Sequence, residues 1–92
     1  MAERTTFLLR LFVSGHTAST DAIIAALRET CGRDLRIDYE LEVVDLLVTP
    51  EAAEQHDIVV TPTLVRAFPL PACRKSGDVA TRETLLELLH SS

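Results

Sequence analysis

Val60-Thr61-Pro62-Thr63-Leu64-Val65-Arg66-Ala67-Phe68 decides the fold. A proline cannot donate to a strand ladder, so Pro62 belongs at the entrance of a strand, and residues 64–68 behind it are strand formers. Ile58-Val59-Val60 leads into that entrance. Pro69-Leu70-Pro71 then turns the chain toward a weaker strand at residues 72–76, and Gly77-Asp78 closes the hairpin region. Beyond it Thr81 is placed to cap a helix over Arg82–His90, in which Leu85, Leu86, Leu88 and Leu89 make one broad apolar face.

Upstream, Thr6–Val13 (TFLLRLFV) is apolar without period-2 alternation, which predicts a strand covered on both faces in the middle of a sheet. Gly15 and His16-Thr17-Ala18-Ser19-Thr20 break it and offer hydroxyls to cap a helix. That helix is predicted over residues 21–31, with Ile23, Ile24, Leu27 and Cys31 on its dry side and Gly32 as its end. Leu35, Ile37, Tyr39, Leu41 and Val43 alternate with Arg36, Asp38, Glu40 and Glu42, so the second strand has one dry and one charged face. Strand, helix and strand in this order predict a right-handed βαβ unit with parallel strands. Thr49-Pro50-Glu51 starts a short helix ending near His56, with Thr49 as cap and Pro50 in the first turn. The expectation is an α/β chain of order βαβ-α-ββα, in one domain over residues 1–92, because a chain this short cannot bury two cores.

That order, with its Thr-Pro strand entrance, resembles the thioredoxin-like fold, in which the proline opening the hairpin is usually cis; Pro62 is therefore the candidate for a cis peptide bond. More specifically, the chain resembles the KaiB family of cyanobacterial clock proteins and their bacterial relatives. The resemblance runs over residues 6–89 and rests on Leu11-Phe12-Val13-Ser14-Gly15, Glu42-Val43-Val44-Asp45-Leu46-Leu47, Val60-Thr61-Pro62-Thr63-Leu64, Pro69-Leu70-Pro71 and Gly77-Asp78. Each is weak alone, but in this order and at these spacings they are specific. The resemblance implies a non-enzymatic circadian regulator that binds the N-terminal ring of KaiC, a hexameric RecA-like ATPase and autokinase, and thereby helps sequester KaiA and displace an output kinase. That kinase's thioredoxin-like sensor domain is the neighbouring reading, against which the Pro-Leu-Pro to Gly-Asp stretch stands.

KaiB proteins also switch folds, between a tetramer with a rearranged C-terminal half and a thioredoxin-like monomer that binds KaiC. Such states differ by only a few kcal/mol, so small propensities decide between them. Where the clock proteins carry a glycine, this chain has Leu88, and leucine favours a helix interior over glycine by about 0.5–1 kcal/mol. Lys75 and Ser76 replace two isoleucines of the family. Both changes predict the thioredoxin-like monomer as the resting state, with Pro62 and Leu88 determining the fold and the ground-state tetramer as the alternative.

The resemblance places the partner-binding surface at Phe7, Ala22, Ala25, Glu42, Asp57, Arg66 and Arg74. Phe7 stands for a tyrosine, and Ala22, Ala25, Glu42 and Asp57 stand at positions that are basic in the clock proteins. Lost or reversed charge alters partner choice, so a different KaiC-type ATPase is one outcome and departure from that system another. The alternatives are a divergent sensory or stress-related interaction module and, against the missing cysteines, a thiol-dependent enzyme.

The remaining composition narrows the chemistry. A net charge of −5 with mixed signs argues against a nucleic-acid partner. Residues 7–13 and 64–71 are too short to span a bilayer, and the start Met-Ala-Glu-Arg-Thr-Thr lacks a secretory pattern, so a cytoplasmic address is expected. There Cys31 and Cys73 read as buried free thiols. No Cys-x-x-Cys precedes the first helix, and Cys31 falls at its far end, where the dipole disfavours a thiolate. His16 lies beside Thr17 and Ser19 without an acid placed to orient it, so these residues read as a helix cap. His16, His56 and His90 have no ligand spacing, and no glycine-rich phosphate loop exists, so neither metal nor cofactor is expected. If residues 37–43 lie at a sheet edge, the row Asp38, Glu40 and Glu42 is either a recognition surface or a guard against aggregation.

Overall fold

The apolar run Thr6–Val13 does form the strand β1, and the computed structural model, which describes residues 5–91, sets it second in a four-stranded sheet. The other elements follow as α1 (Ala18–Glu29), β2 (Asp38–Asp45), α2 (Glu51–Gln55), β3 (Thr63–Phe68), β4 (Cys73–Ser76) and α3 (Arg82–His90). The sheet order is β2-β1-β3-β4, with β1 parallel to β2, and β3 antiparallel to both β1 and β4. β2 is therefore an edge, as its charged alternation requires.

One face of the sheet carries the main core. Leu9, Leu11 and Val13 of β1 and Leu64 of β3 are buried together with Leu27 of α1, Cys31, Val79, and Leu85, Leu88 and Leu89 of α3. Each such leucine contributes roughly 1.5–3 kcal/mol through removal from water. On the opposite face, Phe12 packs with Ala52 and Ile58, with Val44, Leu46, Ala53 and Val65 around them. α2 spans only five residues, so among the described residues this second face is covered at one end alone. The expected two-sided cover of β1 thus holds at its C-terminal half, while Thr6 and Leu8 are exposed.

The tail is helical. Thr81 caps α3 by accepting from the Thr84 N–H at 3.2 Å, and Leu88 is fully buried on its inner side. Lys75 Nζ meets Glu87 Oε2 at 2.9 Å, tying β4 to α3 across an exposed pair. The Thr61-Pro62 bond is cis, as expected, and so are Phe68-Pro69 and Leu70-Pro71.

Three local expectations fail for identifiable reasons. Gly32 does not end the first helix: the chain runs on through a wider π-type turn, Thr30–Asp34, which buries Thr30 and Cys31. β2 starts at Asp38 because the Ile37 N–H donates to the Cys31 carbonyl at 3.1 Å, and Arg36 sits in the connecting turn at φ 50°. Thr49 does not cap α2 with its hydroxyl; its carbonyl accepts from Ala52 N at 3.1 Å, and Pro50 holds the capping position. Val59 and Val60, in the lead into β3, are exposed. No helix among the described residues is long and apolar enough to cross a membrane.

Candidate functional site

β1 and β2 finish side by side at Val13 and Asp45, and antiparallel β3 begins next to them, so three loops meet at this end of the sheet. Asp45 ties two of them together, its Oδ1 accepting from Gly15 N and from Leu47 N, both at 2.9 Å. Gly15 has φ 88°, a backbone conformation that favours glycine, and a Cβ there would stand 3.1 Å from Cδ1 of the exposed Leu47 side chain and push it aside. Thr63 Oγ1 donates to the Val60 carbonyl at 2.6 Å and orders the third loop ahead of β3.

This is where a redox protein of the thioredoxin plan would need a thiolate. Val13, Ser14, Ser19, Thr20, Ile23, Thr61 and Pro62 line a cavity of about 120 Å³, and none of them is a cysteine. The cavity falls below the roughly 300 Å³ at which small-molecule pockets begin. Cys31 lies beyond the opposite end of α1, where burial pushes its thiol up to about 11, so it stays protonated and unreactive near neutral pH. Cys73 is on β4 and donates to the Leu88 carbonyl at 3.4 Å.

His16 does have an acid, contrary to the sequence reading: Nε2 lies 3.0 Å from Asp21 Oδ1, one turn into α1. Both are exposed, and the Thr17 and Thr20 hydroxyls are engaged elsewhere. Thr17 Oγ1 accepts from Thr20 N at 3.2 Å, and Thr20 Oγ1 donates to the Gly15 carbonyl at 3.1 Å. The group does the work of a helix cap. Among the described residues no three of His, Cys, Asp and Glu are grouped to hold a metal ion.

What this end offers is surface. Leu47, Val48, Val59 and Val60 are all exposed there, Val59 at 91 %. Single exposed apolar residues are ordinary, but several sharing one end of a sheet make that end the candidate site. Sequence reasoning took residues 58–60 only as the lead into β3 and assigned their side chains no direction. The available signal was their place just ahead of a proline that cannot extend a ladder.

The residues expected to face a partner separate into several places. Ala22 and Ala25 are exposed on α1, and Asp57 is exposed after α2 with a left-handed φ of 53°. Glu42 is exposed on the opposite sheet face, where Arg10 Nε meets its Oε1 at 2.9 Å. Phe7 is half-buried and packs against the main core. Arg66 is a correction: it is 2 % exposed, so it offers no surface to a partner. Its Nη1 donates to the Leu88 and Leu89 carbonyls at 3.0 and 3.1 Å, and its Nη2 to the Pro71 carbonyl at 2.8 Å. Arg74 does the equivalent work for α2, donating to the His56 and Asp57 carbonyls at 2.8 Å each. Both arginines satisfy the orphan carbonyls that end a helix, where the dipole favours a cation.

A family model described as the KaiB domain matches residues 10–91. The chain belongs to the KaiB family. It is similar to the circadian clock oscillator protein KaiB of Prochlorococcus marinus, with 38 % identity over 86 residues that cover 94 % of this chain and 74 % of that protein. Among solved structures it is similar to the N-terminal domain of SasA from Synechococcus elongatus, with TM-score 0.71 and 24 % identity over 100 % of this chain and 90 % of that one. The germline thioredoxin Deadhead of Drosophila melanogaster matches with TM-score 0.64 and 15 % identity, covering 91 % of this chain and 78 % of that one. This member of the KaiB family therefore has a thioredoxin-like fold, while its Pro62 end lacks the thiol that thioredoxin chemistry needs.

Proposed function

We propose that this KaiB-family chain is a cytoplasmic regulatory adaptor of a clock-type system, acting by protein binding and not by catalysis, and that it docks on the N-terminal ring of a KaiC-type RecA-like ATPase. The observation that carries this reading is the Pro62 end: apolar side chains face outward where a related redox protein would hold its nucleophile. The name of the Prochlorococcus relative supports the clock role. In this reading Asp57, Val59 and Val60 form the centre of the contact, with Ala22 and Ala25 at its border. With Ala22, Ala25 and Asp57 at positions that are basic in the clock proteins, the chain selects a ring whose facing surface is less acidic, and a KaiA-type protein is a further partner. Its resting form is the thioredoxin-like monomer.

Light scattering on the purified chain, alone and mixed with a KaiC-type hexamer in its phosphorylated form, tests the reading. A monomer that joins the ring, and a Val59→Asp variant that keeps its helical signal but binds at least about tenfold more weakly, are expected. A tetramer, absence of ring binding, or a variant that binds as well as the parent overturns it.

A further inference from the structure

Among the described residues, nothing covers the second face of the sheet over the half that α2 does not reach. There Leu8, Glu40, Glu42 and Phe68 are exposed, with Arg10 half-buried between them. An irregularity in the β1–β3 ladder builds this surface. Leu9 pairs with Arg66 but Leu8 pairs with Phe68, which leaves Ala67 as the extra residue of a bulge. Side chains alternate along a strand, so a regular ladder would set Ala67 against Leu8 and turn Phe68 toward the helix-covered core. The bulge instead puts the ring beside Leu8, 48 % exposed. Re-aiming a side chain is a recurrent use of bulges. Thr6, Leu8, Glu40 and Phe68 line an open depression of about 430 Å³.

Charge frames the apolar pair on one side. Leu8 pairs with Glu40 and Arg10 with Glu42 in the β1–β2 register. Arg10 answers Glu42 at 2.9 Å, and Glu40 has no ion pair among the described residues.

We propose that this open half-face is a second docking surface, taking an amphipathic helix of a partner protein whose apolar stripe lies on Leu8 and Phe68 and whose lysine or arginine side chains reach Glu40 and Glu42. A sheet face is normally completed by a helix that buries its apolar stripe there, and among the described residues the chain supplies only the five-residue α2 at the other end. A second copy of this chain is a poor occupant, because two-fold packing would bring like carboxylate rows together on molecules of net charge −5. The surface is independent of the ring-binding reading, since it lies at the opposite end of the sheet from Pro62.

The probe is a fluorescein-labelled helical peptide of about four turns, with leucines at helical spacing and lysines flanking them. A charge-inverted peptide with glutamate in place of lysine serves as control. Anisotropy and amide chemical-shift mapping on the full chain are expected to show saturable binding with shifts at Leu8, Glu40, Glu42 and Phe68. Phe68→Ser and the fully surface-borne Glu40→Lys should each weaken binding at least about tenfold, and the inverted peptide should not bind. The proposal is overturned by absence of binding, by shifts confined to Val59 and Val60, by equal binding of the inverted peptide, or by a variant pair that binds like the parent. It is equally overturned if sedimentation shows the free chain dimerising in a way that Phe68→Ser abolishes.

Discussion

Arg66→Met removes the guanidinium while keeping most of the stem's volume, and so isolates what the buried clamp contributes. In the parent, three N–H···O contacts of 2.8–3.1 Å satisfy the Leu88, Leu89 and Pro71 carbonyls. A hydrogen bond to a charged group is worth about 1.5–3 kcal/mol, and a stranded buried acceptor costs about 1–3 kcal/mol. Against this stands the relief of no longer burying a cation, several kcal/mol by itself, in a site where Nε has no partner among the described residues. The net expectation is a loss of about 2–4 kcal/mol, a large part of the roughly 5–15 kcal/mol that holds a domain together. In thermal terms this is a fall of roughly 10–30 °C. Urea unfolding followed by far-ultraviolet circular dichroism reads the loss, and amide exchange should quicken first at residues 85–90. Arg66→Lys, which keeps the charge but not the planar fork, should lose about half as much. A Met variant within about 1 kcal/mol of the parent, or more stable than it, would show that desolvation outweighs the three bonds and would refute the argument.

Other outcomes follow from the same contacts. Leu88→Gly opens a cavity at a fully buried site and weakens the last turns of α3, so thermal melts should show a loss of about 3–6 kcal/mol. Arg74→Ala releases two surface hydrogen bonds; stability should fall by about 1 kcal/mol in urea, with amide exchange rising around His56 and Asp57. Cys31 binds its proton more tightly folded, at about 11, than its ordinary value near 9. Unfolding therefore releases that proton between these values, and stability should be intact below about pH 9 and decline as pH rises toward about 11. Cys31→Val should flatten that part of the pH profile, and in the parent iodoacetamide should label the half-buried Cys73 well before Cys31.

The elements most legible in the sequence were those with a strong local signature. Thr81 with its leucine-rich run, and the unalternating apolar stretch of β1, produce α3 and β1 with the same boundaries in the structure. The misplaced boundaries lie where tertiary contacts override local rules. The π-type turn after α1 is stabilised by burying Cys31, and the start of β2 is delayed by a backbone bond to that same turn. The site was less legible because a side chain's direction depends on register. Nothing local marks Arg66 as inward-facing, since arginines are mostly exposed and only the pairing with Leu9 and Cys73 turns it under α3. The outward turn of Phe68 likewise depends on a single extra residue in a ladder between distant strands.

Arg66 and Arg74 sit on one hairpin, point to opposite sides of the sheet, and each grips the terminus of a different helix. Neither helix end can therefore come loose by sliding the hairpin without disturbing the other. The chain after His56 is built to open as one cooperative unit, whose exchange-protected amides should share a common opening free energy instead of fraying strand by strand.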